Sequence, residues 1–113
     1  MSSPYQFQEI TAEEVLRRLD AGEKLNIIDI REPFEWQMGG VIPGARLSPM
    51  RQFLLQELGT VPPDEEVVLV CASGVRTADA AIYMGMKGFK NVKSMAGGMK
   101  AWPGNRVPPD LSK

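Results

Sequence analysis

Three residue choices decide which reactions this chain can run. It has no histidine, which removes Ser–His–Asp and Cys–His catalysis and His-ligated metals. It has one cysteine, Cys71, so no intramolecular disulfide can form and no structural zinc site is expected. Arg76 follows Cys71 with Ala72, Ser73, Gly74 and Val75 between them. Chemistry must come from Cys71, carboxylates, Lys, Arg or backbone dipoles.

The residues of this segment are small and include a glycine, so the backbone can curl and turn its N–H groups inward. At the start of a helix, such a nest binds anions, and the helix dipole adds partial positive charge. A cysteine placed there is expected as the thiolate near neutral pH, with a pKa in the range of about 3.5–7.5. Arg76 supplies a cation, and Thr77 can donate a hydroxyl hydrogen bond. A lone cysteine is ordinarily a small buried hydrophobe. Its place between a strand and a glycine-containing loop points instead to a reactive thiolate.

Strands and helices must alternate to put it there. Thr11-Ala12-Glu13-Glu14 is a capping box opening a helix through about Asp20, with Val15, Leu16 and Leu19 on one face. Leu25 to Ile30 reads as a buried strand, and Pro33 suits the first turn of a short helix, Phe34 to about Met38. Ala45 to Leu47 is a brief strand, and Met50 to about Leu58 a helix stopped by Gly59 and Pro62-Pro63. Glu66 to Val70 is the strongest strand. Its Val67-Val68-Leu69-Val70 run lacks alternation, as in the middle of a parallel sheet buried on both faces. A helix from about Arg76 to Lys87 follows, with Ala78, Ala81, Ile82 and Met86 predicted to face inward. Asn91 to Ser94 is a last strand and Ala96 to Trp102 a last short helix. This order predicts an α/β fold, a mainly parallel sheet of about five short strands with helices on both faces. Cys71 then lies at the carboxyl end of the central strand, where open α/β sheets bind ligands.

With 113 residues, the chain suits one domain, with its core over about 7–103 and a flexible tail over 104–113. Thirteen basic against fourteen acidic residues give a net charge of −1, so no nucleic acid is expected as a partner. No apolar run approaches about 18 residues, and the N-terminus lacks a signal-peptide core, so no membrane partner and a cytoplasmic location are expected. The seven methionines are read as gap-filling core, and Phe34, Trp36, Phe89 and Trp102 as core or pocket wall.

The Cys71 to Arg76 segment resembles the active-site loop of the rhodanese family, with its Cys-x-x-x-x-Arg pattern between the central strand and a helix. Ile27 to Trp36 is similar to the family's first signature, an aliphatic-Asp-x-Arg stretch followed by Glu and an aromatic. Gly40-Val41-Ile42-Pro43-Gly44-Ala45 resembles its Gly-His-Ile-x-Gly-Ala turn, without the histidine. Gly88-Phe89 with Val92, then Gly97 to Trp102, is similar to its closing signature.

The resemblance implies a single-domain sulfurtransferase that takes a sulfane sulfur from a small donor such as thiosulfate onto Cys71 as a persulfide. The sulfur then passes to a nucleophilic acceptor: cyanide, a thiol or a protein. No cofactor is implied, and a monomer is expected. Ala72, Ser73, Gly74, Val75, Arg76 and Thr77 would bind the donor and stabilise the terminal sulfur. Asp29 and Arg31 would brace the loop as a structural ion pair, with Glu35 a candidate partner for Arg31. One rival is a Cys-dependent phosphatase or arsenate reductase of the same fold, whose loop is one residue longer. The other is a regulatory module that binds a protein partner.

Overall fold

Val67–Val70 forms the centre of the sheet because all four side chains are buried. The structure, a computed structural model describing residues 6–111, builds five strands. They are β1 (Gln8–Thr11), β2 (Ile27–Asp29), β3 (Arg46–Leu47), β4 (Val67–Val70) and β5 (Val92–Ala96). Their order is β1-β5-β4-β2-β3, and every neighbouring pair is parallel. The helices are α1 (Ala12–Asp20), α2 (Pro33–Gly39), α3 (Met50–Gln52) and α4 (Val75–Met86).

Side chains of a strand alternate between faces, and two hydrophobic layers result. Ile28, Val67, Leu69, Cys71 and Val92 pack against Ala80, Ala81 and Met84 of α4 and against Phe53. Ile10, Ile27, Val68, Val70 and Met95 pack against Ala12 and Val15 of α1 and against Met99 and Trp102. The sheet is thus covered on both faces, and Cys71 falls on the α4 side.

Several details differ from the expectations above. Strand β1 is not evident in the sequence, because it is an edge strand whose only buried residue is Ile10. The inward face of α4 is Thr77, Ala80, Ala81 and Met84; Met86 is 73% exposed. A polar residue, Thr77, occupies the place an apolar pattern would assign to the core. After Gln52 the helix widens into a π turn, Phe53–Glu57, which keeps Phe53 buried while Glu57 accepts from Arg46 and Ser48. Phe34 and Met38 are exposed, so neither is core. Met1 lies outside the described residues. In the segment after Trp102, the Asn105 carbonyl accepts from Trp102 Nε1 and Arg106 donates to the carbonyl of Met99. Val107 pairs with Val41 through two backbone hydrogen bonds. Among the described residues, no helix is long and apolar enough to cross a membrane.

Candidate active site

Cys71 is the first residue beyond β4, and α4 begins four residues later. Between them Gly74 adopts φ +95°, a left-handed conformation that favours glycine and reverses the chain into the helix. The reversal brings the Gly74 N–H to 3.1 Å from Cys71 Sγ. Thr77, in the first turn of α4, places its Oγ1 at 3.5 Å from the same sulfur. The first intrahelical bond runs from Ala78 N to Gly74 O, so the amides of Val75, Arg76 and Thr77 precede it.

A second segment fixes the loop from below. Met99 N donates to Cys71 O at 2.8 Å and Lys100 N to Ala72 O at 3.0 Å. This approach needs Gly98, at φ +57°, where a Cβ would lie 2.4 Å from Cys71 O and 2.6 Å from Ala72 C. The loop therefore has little freedom to flatten.

Cys71 is 1% exposed. Burial alone would push its thiol up, because it disfavours the charged form. The Thr77 hydroxyl and the backbone N–H groups of Thr77, Gly74 and Ser73 outweigh that effect, and the thiol sits below its ordinary value. Of the six residues expected to line the sulfur, Ser73, Gly74 and Thr77 are thus brought to it. Ala72 contributes its carbonyl to the clamp, and the Val75 side chain is exposed.

Arg76 is held from α2. Its guanidinium makes two hydrogen bonds to the Glu35 carboxylate, at 2.7 and 2.8 Å. That contact holds Glu35 well below the usual carboxylate range, at about 2, although partial burial opposes it. It also raises Arg76, with the Cys71 thiolate a weaker influence acting through space. Glu35 is therefore the partner of Arg76, not of Arg31, a correction to the pairing suggested by sequence proximity. Arg31 instead donates to both oxygens of Asp29 and to the Gly40 carbonyl. Trp36 Nε1 also donates to Asp29. Both charges are buried, at 1% and 4% exposed. Removing one partner of such a pair typically costs about 3–5 kcal/mol. A groove of about 480 Å³ beside α4 is lined by Arg76, Tyr83, Met50 and Leu54 among others.

This strand–loop–helix geometry agrees with what comparison finds. The pattern of the Rhodanese-like domain matches residues 11–105. The chain belongs to the rhodanese-like family. It is 38% identical over 103 residues to the probable adenylyltransferase/sulfurtransferase MoeZ of Mycobacterium tuberculosis, covering 90% of this chain but 26% of that protein. The chain thus spans about a quarter of that relative. It is 34% identical over 100 residues to a sulfurtransferase of Allochromatium vinosum, with coverage of 88% and 92%. The crystal structure of a rhodanese-like domain protein from Staphylococcus aureus superposes with a TM-score of 0.77 at 34% identity, covering 84% of this chain and 90% of that one.

Within the rhodanese-like fold, the turn at Gly40 to Ala45 carries Val41 where the resemblance leads one to expect histidine. Val41 is buried and pairs with Val107, so the position is filled by packing and a two-bond bridge. Two participants went unread in the sequence: Glu35 as the anchor of Arg76, and Ser94, whose Oγ lies 2.6 Å from Thr77 Oγ1. Both contacts join residues far apart in the chain, and no local pattern signals them.

Proposed function

We propose that this rhodanese-like domain is a sulfurtransferase working through a persulfide on Cys71. The observation that carries the reading is the set of donors converging on Cys71 Sγ, which favours the thiolate although the residue is buried. The thiolate attacks the outer sulfur of thiosulfate. The donor's S–S bond breaks, sulfite leaves with the electron pair, and Cys71 keeps the sulfur as a persulfide anion. A cyanide ion or a thiolate then attacks the terminal sulfur, a new bond to the acceptor forms, and Cys71 leaves again as thiolate. This double displacement needs no cofactor.

The loop amides from Ala72 to Thr77 stabilise charge on the terminal sulfur as an oxyanion hole stabilises oxygen. Arg76, at the mouth of the loop, attracts the donor anion through what Glu35 leaves of its field. Asp29 and Arg31 hold the neighbouring strand end and take no part in bond making. A thiol, free or on a protein, is the acceptor in a cytoplasmic setting, and the domain acts as a monomer.

Ring size supports sulfur over phosphorus. A persulfide adds one atom about 2.05 Å from the cysteine sulfur. A phosphocysteine adds three oxygens, each needing a donor at roughly 2.7–3.1 Å, and four residues between Cys71 and Arg76 form a small ring for that. The test is thiocyanate production from thiosulfate and cyanide. Native protein should form it and Cys71→Ser should not; Cys71-dependent turnover of an aryl phosphate instead would favour the phosphatase.

A further inference from the structure

Ser94 lies on β5 between Val92 and Ala96, on the face that meets α4, and its side chain is fully buried. A buried hydroxyl is unfavourable unless it is hydrogen-bonded. Its hydroxyl lies 2.6 Å from Thr77 Oγ1, and Thr77 Oγ1 lies 3.5 Å from Cys71 Sγ and 3.3 Å from Gly74 O. Thr77 is also fully buried.

Each hydroxyl has one hydrogen to give and lone pairs to receive. A thiolate and a carbonyl can only accept. If Thr77 gave its hydrogen to Ser94, none would be left for Cys71 Sγ or Gly74 O, which would keep only their backbone donors, Gly74 N and Ala78 N. If Ser94 gives its hydrogen to Thr77, the Thr77 hydrogen is shared between Gly74 O, which Ala78 N already serves, and the sulfur. The bond Thr77 receives strengthens the one it makes. We propose that Ser94 is a positioning residue, whose hydroxyl directs the Thr77 O–H onto the Cys71 thiolate. The charged groups around the loop are Arg76 on α4, Glu35 on α2, Asp29 and Arg31 at the end of β2, and Lys100 below the loop. Among the described residues, none of these is hydrogen-bonded to Cys71 Sγ, Thr77 Oγ1 or Ser94 Oγ. The relay is therefore the only side-chain hydrogen-bond route to the sulfur in that set.

The inference rests on Cys71 as the nucleophile, and its test reads Cys71 alone, with no donor or acceptor present. The rate of iodoacetamide alkylation is measured against pH for native protein, Ser94→Ala, Ser94→Thr, Thr77→Val and the Ala/Val double variant. Native protein should titrate below the ordinary cysteine value of about 8.5. Ser94→Ala should raise the midpoint by about half to one pH unit, leaving three- to tenfold less reactive thiolate at pH 6. Ser94→Thr, which keeps the hydroxyl, should restore most of that loss. In the Thr77→Val background Ser94→Ala should add no further shift, because Ser94 acts through Thr77. A Ser94→Ala midpoint equal to a lowered native one overturns the relay alone, as does a shift undiminished without the Thr77 hydroxyl. A native midpoint near the ordinary value overturns the relay and the Cys71 reading together.

Discussion

Glu35 grips Arg76 by both carboxylate oxygens, at 2.7 and 2.8 Å, across a separation of 41 residues in the chain. The loop's cation is thus partly neutralised before any donor arrives. The pair ties α2 to the start of α4 and fixes where the guanidinium sits. It also subtracts negative charge tolerance from the mouth of the site.

Removing that countercharge should favour an anionic donor. In Glu35→Gln, the KM for thiosulfate should fall by about two- to fivefold, the range expected for one unit of charge acting across partly solvated protein. Steady-state kinetics at low ionic strength would show it, and the gain should shrink as salt is added. A raised KM would mean that Glu35 matters chiefly by holding Arg76 in place.

Gly98→Ala should harm both stability and the site. The new Cβ would meet backbone atoms of Cys71 and Ala72 at 2.4–2.6 Å, in a conformation of positive φ. We expect a loss of about 2–4 kcal/mol in urea unfolding, combining backbone strain with a clash that the loop must move to relieve. Alkylation of Cys71 should slow as well, since its amide donors shift. A loss under about 0.5 kcal/mol would show that the clamp is loose.

At the opposite end of the sheet, Glu66 accepts from Arg18 of α1 and Lys93 of β5. The Arg18 hydrogen bonds hold its carboxyl at about 2, against a burial effect that would raise it and with Lys93 helping. A depressed carboxylate stabilises the fold above its unfolded value, about 4.3, and loses that contribution as pH falls through its folded value. Glu66→Gln should therefore cost about 1 kcal/mol at pH 7, in keeping with a partly exposed ion pair. The difference from native protein should shrink between about pH 4.5 and 2. Urea unfolding across that range checks it; a difference independent of pH would contradict the ion-pair origin.

Local patterns made the frame legible. The Thr11 N-cap, the aliphatic run of β4 and the small residues after Cys71 each follow from short-range chemistry, and they put the cysteine at a strand end under a helix. The reciprocal half of the expected capping box is absent at Thr11, because the Glu14 carboxylate accepts from Arg17. Contacts between distant segments were not legible. Glu35 stands four residues from Arg31 yet pairs with Arg76, because α2 packs beside the start of α4. The phase of α4 was hidden because Thr77, satisfied by Ser94 and Cys71, takes a core position that periodicity reserves for apolar residues. Gly97-Gly98 stood out as a signature, but its purpose, close approach to the Cys71 carbonyl, appears only in three dimensions.

The central claim is that Cys71 carries the transferred sulfur, and intact mass after incubation with thiosulfate tests it without assuming an acceptor. Native protein should gain the mass of one sulfur atom, lose it on addition of cyanide or dithiothreitol, and show no gain as Cys71→Ser. An unmodified native mass, or an equal gain in Cys71→Ser, would contradict the account.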